Sequence, residues 1–291
     1  MIKMIKENYD NYDAFIVLHG TDTMAYSASA LSFAFQNLTK PIIFTGSQIP
    51  LQRLRNDGRN NIIGSLVIAS NYNIPEVLLV FGDSIIRGNR SVKISSNKIH
   101  AFGSPNFTDL GAFGYLDDIQ INDELIKQTK GNSGSLMNFT DVEFYNPQYD
   151  VFTFFLSPGT NFKALKDVIN NNPNTKAVII RTFGVGDGPT SNKEFIELLQ
   201  FLNSNNILVI NVSQCIEGRI DQGDYAVGSI LKKNHVISGQ DLTFEAAYCK
   251  LLYLLSVYDR NNTTIINKFN QNLAGELSNK LRVIDVDPTF L

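Results

Sequence analysis

No apolar run in the 291 residues approaches the roughly 20 that cross a bilayer as a helix, which argues against a membrane protein. Cysteine is scarce: Cys215 and Cys249 stand far apart, too few for a disulfide framework and without the Cys/His spacing of a zinc site. Histidine is scarcer than the length suggests, with only three, His19, His100 and His235, so an imidazole base has few candidates. A basic excess is missing as well. The 25 Lys and Arg against 28 Asp and Glu leave a net charge of −3, which argues against a nucleic-acid partner. The opening Met1 to Glu7 lacks the apolar core of a signal peptide, and the cytoplasm is the expected compartment. Asn-x-Ser/Thr triplets such as Asn89-Arg90-Ser91 carry no meaning in an unsecreted, Asn-rich chain. What is present is material for one large or two ordinary domains, 43% hydrophobic, with small-molecule chemistry as the natural occupation.

Ala14 to Leu18 is a short continuous apolar run, the pattern of a strand buried on both faces. His19-Gly20-Thr21-Asp22-Thr23 breaks it, and Met24 to Gln36 reads as a helix. Pro41 to Thr45 is a second strand, followed by a polar loop from Gly46 to Asp57 and a helix from about Asn60 to Ser70. Glu76 to Phe81 is a third strand. Strand, loop and helix alternating at this spacing predict a parallel sheet with right-handed crossovers. From Gln120 to Tyr149 the pattern fades into Asp, Asn, Gly and Ser. It resumes with strands at Asp150–Leu156, Ala177–Ile180 and Ile207–Val212, and helices at Phe162–Asn170, Glu194–Asn203 and Thr243–Val257. The fold class expected is α/β in two units: a larger N-terminal unit with a mostly parallel sheet over 1–130, a linker over 131–149, and a smaller α/β unit over 150–291.

The loops Gly20–Thr23 and Gly46–Asp57 both leave the carboxyl ends of their strands, where open α/β sheets bind ligands. Thr21 and Asp22 allow two readings. Both are ordinary helix N-cap residues; alternatively they place a hydroxyl beside a carboxylate at a ligand-facing edge. A hydroxyl needs a base to react or to activate water. His19 ends a strand and is expected to pack there, while His100 and His235 stand alone in loop-like sequence. Lys93, just beyond the third strand, is left. If the three strands are neighbours, Lys93 comes near Thr21 and Asp22, and a lysine partly desolvated there acts as a base that Asp22 orients.

Several segments together carry a family resemblance. His19-Gly20-Thr21-Asp22-Thr23-Met24-Ala25-Tyr26 resembles the second signature of bacterial L-asparaginases. Thr45-Gly46-Ser47-Gln48-Ile49-Pro50-Leu51, Arg87-Gly88-Asn89-Arg90-Ser91-Val92-Lys93 and Ala101-Phe102-Gly103-Ser104-Pro105-Asn106 resemble other stretches of that family. Arg181-Thr182-Phe183-Gly184-Val185-Gly186 and Asn211-Val212-Ser213-Gln214-Cys215 are similar to its cytoplasmic type I form, and the likeness extends to about Ser278.

The resemblance implies hydrolysis of the side-chain amide of L-asparagine to L-aspartate and ammonia, with no metal or organic cofactor. It implies Thr21, Asp22 and Lys93 as a catalytic set: Thr21 positions or activates the attacking oxygen, Lys93 accepts its proton, and Asp22 also holds the substrate ammonium. Gly20 and the backbone of Ser47 would lie against the substrate. It implies Arg181 and Cys215 as the lining of a second asparagine site used for allosteric activation, although Val92 stands where regulated relatives carry a Thr. It further implies a homodimer or homotetramer. A glutaminase, an amidase of the tRNA-dependent amidotransferase type and a non-catalytic asparagine-binding protein remain as alternatives. One family feature is missing from the sequence: the first signature, Thr-Gly-Gly-Thr-Ile, whose first Thr forms the acyl-enzyme. With the N-terminal strand, the lid tyrosine and the polar loop also lacking, the chain as written is expected to be truncated and to turn over little, and its exposed sheet edge to invite aggregation.

Overall fold

The computed structural model describes residues 1–278, apart from 116–117, 130–137, 141, 143, 145, 147, 222–225 and 260. The chain opens on helix α1 (Ile2–Asn8) and a 3-10 turn at Tyr9–Asn11, then strand β1 (Phe15–Leu18), helix α2 (Met24–Ala34) and the two-residue strand β2 (Phe35–Gln36). The unit repeats as β3 (Ile42–Thr45), α3 (Gly58–Asn71) and β4 (Val77–Phe81). Short strands follow: β5 (Ser84–Arg87), β6 (Val92–Lys93), β7 (Phe102–Gly103), β8 (Gly111–Phe113) and β9 (Ile119–Ile121), with a 3-10 turn at Gly88–Arg90 between β5 and β6. Helix α4 (Asp123–Thr129) and strand β10 (Asn138–Phe139) complete this part.

The larger sheet runs in the order β1-β3-β4-β5-β8-β9. Its first three strands are parallel, because α2 and α3 carry the chain back across the sheet. From β4 onward every pairing is antiparallel. The sheet is therefore mixed, not mostly parallel as the spacing predicted. The cause is local: β4 and β5 are joined by Gly82 and Asp83 alone, Gly82 has φ +58, and a two-residue turn can only reverse the chain.

A second difference concerns β1. It was expected to be buried on both faces, but it lies at the sheet's edge, with Phe15, Ile16 and Val17 partly covered and Leu18 64% exposed. Its apolar run resembles those of β3 and β4, which are buried at every residue. Burial depends on neighbours, and β1 has a partner strand on one side only among the described residues.

The second unit follows the predicted alternation at β11 (Asp150–Phe155), α5 (Phe162–Asn170), β12 (Thr175–Thr182), α6 (Lys193–Ser204), β13 (Leu208–Ser213) and α8 (Phe244–Tyr258), and it adds α7 (Ala226–Lys233), β14 (Val236–Ser238) and α9 (Asn262–Phe269), which were not expected from the sequence. Its four strands are parallel, in the order β11-β12-β13-β14. Polar side chains start its helices: Asn161, Asn192, Thr243 and Asn261 each accept the backbone N–H three residues on, at 2.9 to 3.1 Å. Of the segment expected as a linker, 131–137 and four later positions lie outside the described residues, and Asn138–Phe139 pairs antiparallel with β2. One apolar core spans both units, with Phe33, Tyr26 and Ala30 of α2 packed on α8 and on the β12–β13 face. Because α2 is covered by its own sheet on one side and by α8 on the other, it is buried nearly all round.

Candidate active site

Two loops leave adjacent parallel strands at the same end. Leu18 of β1 is in register with Thr45 of β3, and His19 N–H donates to the Thr45 carbonyl at 2.9 Å. The approach is tight: a Cβ on Gly46 would sit 2.2 Å from the His19 carbonyl oxygen, so only glycine fits. Gly20 has no such constraint, since a Cβ there would meet open space. His19 itself packs its ring against Phe44 and bonds Ser27 Oγ at 3.0 Å, the structural role expected of it.

Helix α2 begins at Met24, and the residue at its N-cap position, Thr23, makes no side-chain cap. The side chains of Thr21 and Asp22 are engaged elsewhere. Lys93 Nζ donates to Thr21 Oγ1 at 2.8 Å and to Asp22 Oδ1 at 2.5 Å. That geometry separates the two readings of the Thr-Asp pair in favour of a side-chain cluster over a helix cap. Lys93 reaches the cluster from β6, which is held against β7, while Phe102 of β7 is buried edge-on to Phe81. Lys93 is only 20% exposed, whereas the Asp22 side chain is 91% exposed and faces outward. The hydrogen bond and charge of Lys93 hold the Asp22 carboxyl below its ordinary range, so it remains an anion able to take a cationic group from solution.

The third wall is the turn after β3. The Ser47 side chain is directed away from Thr21, bonding the Ile49 carbonyl and Asp57 Oδ1, so Ser47 offers the site its backbone. Gln48 was not singled out from sequence as a separate position. Its Oε1 accepts from Thr21 Oγ1 at 3.4 Å, and its Nε2 donates to the Ser95 carbonyl at 3.3 Å. Asp57 was missed altogether. Its buried carboxylate accepts from Gln48 N–H (2.9 Å), Ile49 N–H (2.8 Å), Ser47 Oγ (3.0 Å) and Asn61 Nδ2 (3.1 Å). In sequence an Asp directly before a helix reads as an ordinary N-cap, and nothing distinguishes this one.

Residues 1–127 match the family model "Asparaginase, N-terminal", and residues 150–269 match "Glutaminase/Asparaginase C-terminal domain". The chain belongs to the asparaginase family. It is 42% identical to L-asparaginase 1 of Escherichia coli over 275 residues, which is 94% of this chain and 77% of that protein. It is 38% identical to the human 60 kDa lysophospholipase over 96% of this chain and 46% of that longer protein. The crystal structure of L-asparaginase I from Vibrio cholerae superposes with a TM-score of 0.83 at 38% identity, over 96% of this chain and 80% of that one.

A cavity of about 240 Å³ lies where the asparaginase units meet, lined among others by Val92, Lys93, Asn106, Arg181, Cys215 and Thr243. It brings together the two second-unit candidates, Arg181 and Cys215, and shares Lys93 with the first site. The Arg181 guanidinium lies between the rings of Phe155 (4.6 Å) and Phe244 (5.1 Å) and donates to the Ser213 carbonyl at 3.2 Å. Burial pushes its pKa down, and the nearby Glu245 opposes that, while its buried Nε has no partner. Among the described residues no cluster of His, Cys, Asp or Glu could hold a metal ion, and no helix is long and apolar enough to cross a membrane.

Proposed function

We propose that this asparaginase-family chain hydrolyses the side-chain amide of L-asparagine to L-aspartate and ammonia at the Thr21–Asp22–Lys93 cluster. The observation that carries the reading is the convergence of the Lys93 amino group on a hydroxyl and an exposed carboxylate at the end of a parallel strand. Asp22 takes the substrate ammonium. The attacking oxygen, held at Thr21, forms a bond to the amide carbon. Its proton passes to the Lys93 amine, which must be unprotonated for that step, and on to the leaving nitrogen as the C–N bond breaks, releasing ammonia. Water supplies the oxygen that ends in the new carboxylate, whether it attacks directly or follows a hydroxyl. The glutaminase and amidotransferase readings have weaker support, since the amidotransferase subunits are relatives at 30% identity.

The test is ammonia release from L-asparagine, with L-glutamine beside it. Release above a protein-free blank is expected. Lys93→Met should lower it about 10²- to 10⁴-fold, the usual worth of a proton-transfer group. Release at the blank level, or unchanged in the variant, refutes the proposal.

A second reading concerns the cavity beside Lys93. We propose that it takes the carboxylate of a second amino acid on Arg181, with Cys215 on its wall. The unpartnered Arg181 Nε and the planar guanidinium held between two rings favour it, since such a fork matches a carboxylate. A cytoplasmic homodimer or homotetramer completes the proposal. The unpaired thiols of Cys215 and Cys249 suit a reducing compartment.

A further inference from the structure

Lys93 hangs from little. Strand β6 has two residues and pairs with two residues of β7. The chain before it is the turn Gly88–Arg90, whose Asn89 and Arg90 side chains bond to Asp241 and to the segment 274–278 of the other unit.

Arg90 is the largest fully buried side chain among the described residues. Its Nε donates to the Gly275 carbonyl (2.9 Å), its Nη1 to Asp241 Oδ2 (2.8 Å) and its Nη2 to Ser278 Oγ (3.3 Å). Asn89 Nδ2 donates to the Ala274 carbonyl at 2.8 Å, and Asp241 accepts the Ser278 N–H. These carbonyls are aimed at residues 89–90 because Glu276 gathers the opposite groups. Its carboxylate accepts Leu273 N–H (2.9 Å) and Ala274 N–H (2.6 Å) and pairs with Lys250 Nζ at 2.5 Å, both side chains being wholly buried. Lys250, on α8, also donates to the carbonyls of Phe269 (2.8 Å) and Gln271 (2.6 Å), which tethers the segment to the second unit. Gly275 has φ +83, and a Cβ there would meet Arg87 Cδ at 2.9 Å, so the segment lies flush on the arginine stems.

We propose that residues 271–278 form a strap by which the C-terminal unit sets the position of Lys93, with Arg90 and Glu276 as positioning residues. The proposal rests on Lys93 being the reacting lysine. An inert glue between units would tolerate any contact of similar strength. A strap that aims Lys93 requires the fork of Arg90, because that fork fixes the turn three residues ahead of the lysine in both translation and rotation.

The experiment compares wild type with Arg90→Lys, which keeps a cation for Asp241 but cannot also reach the Gly275 carbonyl and Ser278 Oγ. A displacement near 1 Å costs up to about a hundredfold in rate, so kcat for L-asparagine hydrolysis should fall about 10- to 100-fold. KM should stay within about threefold, since Asp22 and the turn after β3 are untouched. The Lys93 Nζ resonance, assigned with Lys93→Arg in isotope-labelled lysine, should move. Glu276→Gln, which keeps an acceptor for the strap's N–H groups, should recover part of both effects relative to Glu276→Ala. Should Arg90→Lys not fold, Asn89→Ala removes one strap bond and should show the same changes in smaller degree. Unchanged kcat together with an unchanged Lys93 resonance overturns the proposal. If wild type itself releases no ammonia, the hydrolase reading has failed, and the Lys93 resonance alone decides the strap.

Discussion

Asp57 carries the sharpest test of how the site is built. Replacing it with alanine removes the acceptor of four hydrogen bonds. Ser47 Oγ keeps the Ile49 carbonyl and Asn61 Nδ2 keeps the Gly46 carbonyl, so two groups are orphaned outright, the N–H groups of Gln48 and Ile49. A buried donor left without a partner costs about 1–3 kcal/mol, and these two are half-buried, so the local cost should be about 2–4 kcal/mol. That corresponds to a roughly 30- to 900-fold faster exchange of the Gln48 and Ile49 amides, with the amides of β3 and β4 unchanged. Hydrogen exchange read by NMR is the assay, since it isolates the turn from global unfolding. The wild-type turn should also respond to acid. Burial pushes the Asp57 carboxyl upward, but the bonds from Gln48, Ile49 and Ser47 outweigh it and leave the folded-state pKa below its ordinary value. A depressed carboxyl contributes its stability above the unfolded pKa, near 3.9, and loses it as pH falls through the folded value. The difference between wild type and Asp57→Ala should therefore be full at neutral pH and vanish in strong acid. Exchange rates that differ by less than about threefold, or a difference indifferent to pH, would refute the reasoning.

Titration calorimetry with L-asparagine should find two sites per chain, and Arg181→Met should remove one while leaving the site at Asp22; a single site in both proteins sinks the reading of the Arg181 cavity. Leu18→Lys, on the open edge of β1, should lower concentration-dependent light scattering, because an edge charge disfavours strand pairing between chains. Equal scattering would show that this edge is not where chains meet. Glu276→Ala should destabilise by about 3–5 kcal/mol in urea unfolding, since it leaves Lys250 charged and buried without its carboxylate, whereas changing both to apolar residues of similar volume should cost far less.

Three strands and three helices of the second unit were legible because its runs are continuous: Ile179 and Ile180, or Val209 and Ile210, sit in strands covered on both faces, and apolar residues there leave no other reading, whereas α7, β14 and α9 went unread. The stretch from β5 to β9 was illegible, because strands of two to four residues have no period to detect. The edge position of β1 was illegible for a different reason. Phe15 to Leu18 is as apolar as the interior strands, and how many partners a strand has is decided by the rest of the chain. Thr21 and Lys93 lie 72 positions apart; the expected adjacency of their strands and the motif resemblance joined them before the structure put Nζ at 2.8 Å from Oγ1. Asp57 left no trace at all, since a carboxylate that caps a helix and one that turns back to hold a loop are spelled alike.

Arg87–Glu76, Arg90–Asp241 and Lys250–Glu276 are all largely buried, and such pairs seldom stabilise a protein beyond what well-packed apolar residues would achieve. Their distinguishing property is direction. An apolar contact between the turn at Gly88–Arg90 and residues 271–278 would let one surface slide over the other at little cost. The guanidinium of Arg90, bonded at three nitrogens to three fixed acceptors, has one low-energy placement. The cluster therefore converts the docking of the two units into a fixed position for a two-residue strand, and through it for the lysine that meets Thr21 and Asp22. In such a protein the reacting groups and the residues that aim them belong to different units, so a local sequence motif marks the first and is silent about the second.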